Sequence, residues 1–192
     1  MINKIKEIRQ QTGVSLGLCE KALKETDGDI DKAKELLRKW GQALAGKRGG
    51  RDTREGLIES YIHANKKLGV LLSLGCETDF VARNKDFQEL AHKIALHIAA
   101  MNPIYVGSED IPNEVIEKEK EIYQEQMLKE NKSKDIMDKV IEGKLEKYRK
   151  SVCLLLQPYV QDDTKSVQDL INEHIAKTGE NIIVNQFVRL EI

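Results

Sequence analysis

The spacing of apolar residues changes twice along this chain, and that change limits the fold more than any other feature. Up to Trp40 the apolar positions recur every three or four residues, as on helices that bury one face. Ile5 and Ile8 open the series and Thr12-Gly13 supplies a stop. Ser15 stands where it can cap a second helix with Leu16, Cys19, Ala22 and Leu23 inward, closed by Asp27-Gly28. Asp29 can cap a third, with Ile30, Ala33, Leu36, Leu37 and Trp40 at helical spacing. From Glu55 the period becomes two. Residues 55–63 and 68–76 read as strands joined by Ala64-Asn65-Lys66-Lys67, with Leu68, Val70, Leu72, Leu74 and Cys76 on one face. Then the three-four rhythm returns: Asn84 can cap a helix carrying Phe87, Leu90, Ala91, Ile94, Ile98 and Met101, which Pro103 halts.

The first switch of period falls at Gly46-Lys47-Arg48-Gly49-Gly50-Arg51, which reads as the start of a linker over 46–54. It separates a small three-helix domain at 1–45 from an α+β core at 55–192. Within the core, Pro112 suits the first turn of a long polar helix reaching about Glu130, whose apolar positions are sparse: Val115, Ile116, Ile122, Tyr123 and Met127. Residues 134–149 offer it a partner through Ile136, Met137, Val140, Ile141, Leu145 and Tyr148. The two predict an antiparallel helical hairpin over about 112–149 that projects from the body. A further helix near 166–177 turns Val167, Leu170, Ile171 and Ile175 inward and stops at Gly179, and 182–192 is expected to complete the sheet.

Composition removes whole classes of function. The 192 residues carry 31 basic and 32 acidic groups, a net charge of -1. That balance argues against a protein built to neutralise nucleic-acid phosphates or to coat anionic lipid, so neither partner is expected. No apolar run approaches the roughly 18 residues of a membrane span, and Met1-Ile2-Asn3-Lys4-Ile5-Lys6 lacks the apolar stretch of a secretion signal. The expected location is the cytoplasm. Cys19, Cys76 and Cys153 are widely spaced and read as reduced, buried thiols, with an intermolecular or reactive thiol as the alternative.

A search for catalytic chemistry returns little. The glycines at 46–50 lack the spacing of a phosphate-binding loop, and no G-x-S-x-G elbow is present. His92 and His97, five apart, face different ways on a helix and fit poorly as joint metal ligands. His174 reads as a surface or half-buried residue and His63 as a structural one at a strand end. No catalytic residue, metal or cofactor is expected, and the chain does not read as an enzyme.

The unusual segment is Cys76-Glu77-Thr78-Asp79-Phe80-Val81-Ala82-Arg83-Asn84, which joins the end of a strand to the start of a helix. A charged group beside a large aromatic ring at such a connection suits a presented contact. The plainer reading is that Phe80 packs into the local core while Asp79 helps cap the next helix.

Thr78-Asp79-Phe80-Val81-Ala82-Arg83-Asn84 resembles the signature loop of the elongation factor Ts family. Further stretches match in the family's order: Ile8-Arg9, Thr12-Gly13, Cys19, Ala22-Leu23, Gly28-Asp29 and Gly41, then Tyr61-Ile62-His63 with Leu68-Gly69-Val70-Leu71. His97-Ile98-Ala99-Ala100 with Pro103, Glu142-Gly143-Lys144-Leu145 and Leu155-Leu156-Gln157-Pro158-Tyr159 continue the resemblance over nearly the whole chain. It implies that the first three helices form a module similar to ubiquitin-associated domains. It also implies a guanine-nucleotide exchange factor that promotes GDP release from elongation factor Tu during translation. Thr78, Asp79, Phe80 and Val81 would form the exchange loop, with the Asp-Phe pair intruding near the partner's Mg²⁺ site. Arg9 and Leu16 resemble positions that touch the partner's nucleotide-binding domain, and His97 one that meets the region behind its phosphate loop. The chain resembles a short family form, for which a homodimer is expected. The alternative is a binding protein without exchange activity, acting through its first fifty residues and indifferent to changes at Phe80.

Overall fold

Gly13 and Asp29 mark the first two boundaries as their chemistry requires. In the computed structural model, which describes residues 1–128 and 134–192, α1 (Ile2–Thr12) ends on Gly13 in the left-handed conformation, φ 69°. Helix α2 (Leu16–Glu25) follows, and Asp29 then accepts the backbone N–H groups of Asp31 and Lys32, both at 3.1 Å, to start α3 (Ile30–Arg48). Ile8, Val14, Cys19, Ala22, Leu23, Ala33 and Leu37 form the buried cluster between these helices. Leu16, expected inward, is 48% exposed, because Val14 just ahead of α2 fills the inner position. Residues 46–48, expected in a linker, are helical. Lys47 and Arg48 place cations at the carboxyl end of the helix, where they favour its continuation past Gly46.

The chain divides into two compact units, Met1–Leu96 with Gln168–Ile192, and His97–Val167. The first unit holds α1 to α3 and a three-stranded antiparallel sheet of β1 (Glu55–Ile62), β2 (Leu68–Cys76) and β5 (Ile182–Glu191), in the order β1-β2-β5. The register sets Tyr61 opposite Val70 and Leu72 opposite Phe187, with an irregularity between Ser73 and Leu74 on the β5 side. Val70, Leu72, Leu74 and Cys76 are buried on one face, as the alternation requires. The opposite face exposes Ile58, Ile62, Leu71, Val188 and Leu190. Gly56 is obligatory: its φ is +149°, and a Cβ there would sit 2.2 Å from the Leu74 carbonyl oxygen.

After β2 come the single turn α4 (Asp79–Ala82) and α5 (Lys85–Met101), with Asn84 Oδ1 accepting the Asp86 N–H at 3.0 Å. Phe87, Leu90, Ala91, Ile94 and Ile98 are buried; Met101, at the last position of the stripe, is exposed instead. Helix α8 (Val167–Thr178) buries Val167, Leu170, Ile171 and Ile175. Its Ala176 joins the core of the first three helices, because Gly41 on α3 lacks the Cβ that would press on it at 3.2 Å. His174 is buried too, its Nδ1–H donating to the Leu170 carbonyl at 2.9 Å, so the expectation of a surface or half-buried residue does not hold.

The second unit contains α6 (Asn113–Leu128) and α7 (Lys134–Val152). The start of α6 meets the end of α7 through Val115, Ile116, Tyr148 and Val152, and their other ends meet through Met127, Met137 and Ile141. They are therefore antiparallel. Pro112 stands just before α6, its carbonyl accepting the Val115 N–H at 2.9 Å. The side chain of Ile136 and the expected helix end at 129–130 lie outside the described residues. A short pair, β3 (Pro158–Tyr159) with β4 (Asp162–Ser166), has no counterpart in the sequence reading. Among the described residues, no helix is long and apolar enough to cross a membrane.

Candidate functional site

The last pair of the β2–β5 ladder is Cys76 with Ile182. Beyond it the chain turns, and Thr78 becomes the cap of α4. Its hydroxyl oxygen accepts the Val81 N–H at 3.4 Å and donates its own proton to Glu180 Oε1 at 2.7 Å. The Thr78 N–H donates to Glu180 Oε2 at 3.0 Å. Alongside, Glu77 Oε1 accepts the Asn181 N–H at 2.6 Å, and Arg48 and Arg51 reach its two carboxylate oxygens at 3.3 and 3.1 Å. The Asn181 amide and the Arg51 and Arg48 guanidinium groups hold the Glu77 carboxyl below its usual range. Beneath the turn, the Cys76 thiol donates to the Thr78 carbonyl at 3.2 Å.

This scaffold leaves Phe80 outside. The ring is 83% exposed, so the reading in which Phe80 packs into the local core is overturned. Backbone geometry explains it: α4 packs beside β1 and β2 as one short turn, and polar groups, not the aromatic ring, tie it down. Asp79 pairs with Arg83 one turn on at 3.2 Å, an exposed pair that contributes little to stability. Val81 is half-buried. Thr78, Asp79, Phe80 and Val81 are thus brought together on one turn.

The other candidates sit elsewhere. Arg9 is exposed in the last turn of α1 and Leu16 is exposed at the start of α2. His97 is fully buried in the second unit. Its Nδ1 accepts the Val160 N–H at 3.2 Å, so Nε2 carries the proton and donates to Gln157 Oε1 at 2.9 Å. Gln157 passes the chain on to the Ser151 carbonyl at 2.7 Å. Burial pushes the imidazole below its ordinary value, which keeps it neutral. In this setting His97 is a core residue and offers no surface to a partner. His63, exposed after β1, bonds the Tyr61 hydroxyl through Nδ1 at 2.9 Å.

The sequence reading missed Glu77, Glu180, Arg48 and Arg51. Only Glu77 lies beside the loop in the sequence: Arg48 and Arg51 are 29 and 26 residues from it, and Glu180 lies 102 residues from Thr78. Among the described residues, no group of three His, Cys, Asp or Glu side chains is placed to hold a metal ion. What the arrangement can do is present one aromatic ring on a fixed backbone.

A family model described as "Elongation factor TS" matches residues 21–192. The Elongation factor Ts of Thermotoga petrophila is 56% identical over 188 residues, which span 98% of this chain and 94% of that protein. That of Thermotoga maritima is 55% identical over the same shares. That of Coprothermobacter proteolyticus is 55% identical over 185 residues, 96% of this chain and 94% of the relative.

Proposed function

The chain belongs to the elongation factor Ts family of translation elongation factors, and from that premise we propose that it accelerates GDP release from elongation factor Tu by pressing Phe80 into the partner's nucleotide-binding domain. The observation that carries the reading is the exposed Phe80 ring on a turn held by Thr78 and Glu180.

The physics needs no bond made or broken, so no acid, nucleophile or cofactor has a part. Mg²⁺ bridges phosphate oxygens to protein groups and is among the largest local charges, so disturbing its coordination weakens phosphate binding. A hydrophobic wedge shifts the partner toward a low-affinity conformation, and the Asp79 carboxylate brings unfavourable charge toward phosphate. Asp79 can turn from Arg83 at small cost, because that pair is exposed. A ~10³-fold faster release corresponds to about 4 kcal/mol off the barrier. By linkage, nucleotide weakens the factor's binding as much as the factor weakens nucleotide's, so arriving GTP expels it.

Arg9 and Leu16, both exposed on the helical bundle, are the further contacts. The protein acts in the cytoplasm without nucleic acid or membrane. It pairs as a homodimer, a reading supported by the exposed apolar sheet face of Ile58, Ile62, Leu71, Val188 and Leu190.

Release of a fluorescent GDP from elongation factor Tu tests the proposal. Strong acceleration by the wild-type chain and its loss, by about 100-fold or more, in Phe80→Ala is the expected result. Acceleration that survives Phe80→Ala moves the mechanism to other contacts. A folded protein that accelerates nothing leaves the binding-module alternative.

A further inference from the structure

A four-residue helix does not form on its own, because nucleation fixes several residues for one hydrogen bond. The turn α4 therefore depends on what anchors its first residue, and the anchors come from the far end of the sequence. Past the Cys76–Ile182 pair the backbone ladder stops, and side chains continue it. Glu77 receives the amide of Asn181, and Glu180 receives the amide of Thr78, so each carboxylate binds the N–H of the residue next to the other. Asn181 Nδ2 also donates to the Arg51 carbonyl at 3.0 Å, closing the frame from outside.

We propose that Glu180 is a positioning residue for nucleotide exchange: its carboxylate holds the Thr78 amide and hydroxyl together and so keeps α4 folded, with Phe80 presented, before the partner arrives. The inference rests on the exchange reading for what the turn does, while the way the turn is held stands apart from it. Only a carboxylate side chain offers two acceptor oxygens to two donors at once, and charge-assisted bonds of this kind are the strong ones. Removing it leaves the turn partly unfolded in the free protein. A partner must then wait for the folded fraction, so the apparent affinity falls by that fraction while the bound complex is unchanged.

Amide hydrogen exchange over residues 78–84 of the free, full-length chain, with GDP release from elongation factor Tu titrated against the factor, tests this on Glu180→Ala and Glu180→Gln. In Glu180→Ala the amides of the turn are expected to exchange about tenfold faster or more, those of β2 and β5 staying as in the wild type. The half-saturating concentration for GDP release rises about tenfold and the saturating rate stays within about twofold. Glu180→Gln, which keeps one acceptor, falls between. Wild-type exchange of the turn in folded Glu180→Ala overturns the proposal. So does a saturating rate that falls at unchanged half-saturation, or faster exchange throughout the sheet with a lower melting midpoint, which would make Glu180 a general stabiliser. If the wild-type chain releases no GDP, the exchange reading falls, and the hydrogen exchange of the turn still decides the role of Glu180.

Discussion

Phe80 and Phe87 stand seven residues apart, at the starts of consecutive helices, and the fold treats them in opposite ways. Phe87 is 1% exposed and helps anchor α5 by packing; Phe80 lies almost wholly in solvent. The seventeen-residue α5 is held by a continuous apolar stripe, whereas the four-residue α4 is held by hydrogen bonds that Thr78 donates to Glu180 and by its own cap. An aromatic ring left in solvent does not serve the core, and the backbone beneath it is fixed by polar means.

The sharpest way to break this contrast is to truncate both rings. Phe87→Ala should lose about 3–5 kcal/mol of stability, as large core truncations do, while Phe80→Ala should stay within about 0.5 kcal/mol of the wild type. Urea denaturation of the two variants decides it, and equal losses would place Phe80 in the core after all.

Acid acts on the packed region in a second, smaller way. Burial and the nearby Lys177 and Lys93 charges lower the His174 pKa to about 4, with the Leu170 carbonyl opposing. Between that value and the ordinary 6.5 the unfolded chain binds the proton and the folded chain does not, so stability falls as pH drops through that window. The loss at pH 4 is about 3 kcal/mol, and buried His97 adds in the same direction. The Asn181 amide and the two arginines hold the Glu77 carboxyl below its ordinary value, so its bonds to Asn181, Arg48 and Arg51 do not share in that loss over most of the window. Unfolding free energies measured from pH 7 to 4 should show the fall, flattened in His174→Gln; a flat wild-type profile would contradict it.

The smallest expected effect on stability comes from the other exposed apolar surface. Val188→Asp on the outer sheet face should change protomer stability by no more than about 0.5 kcal/mol. It should nevertheless convert a dimer to a monomer in sedimentation equilibrium. An unchanged mass would assign that face to something other than a second copy.

Much of the fold was legible because its signals are local. The alternation from Leu68 to Cys76 places β2 at its observed bounds, and Asp29 and Asn84 cap the helices they precede. Helix α8 and β5 lie within a residue of the stretches that their spacing marks. What was missed depends on neighbours. The helical run through Gly46 reads as a break because glycine is a poor helix former, yet the cations of Lys47 and Arg48 lie in the last turn, where they favour the helix. Leu16 has the spacing of a core residue and loses the place to Val14. At the candidate site, the chemistry of the loop left open whether Phe80 is presented or packed inward, the resemblance favoured presentation, and the groups that hold the turn carried no signal. Glu180 is one acidic residue among 32, and its place beside Thr78 comes from strand pairing across a hundred residues.

Cys76 lies directly under that turn, buried, with burial first and the Glu180 charge second raising its pKa to about 11. At neutral pH about one such thiol in ten thousand is ionised, and the residue is fully buried, its thiol bonded to the Thr78 carbonyl. An alkylating reagent therefore reaches Cys76 only when residues 76–78 lift away from the sheet. The pace of its modification is a clock for that opening, already built into the native sequence and readable by mass spectrometry without any label on Phe80.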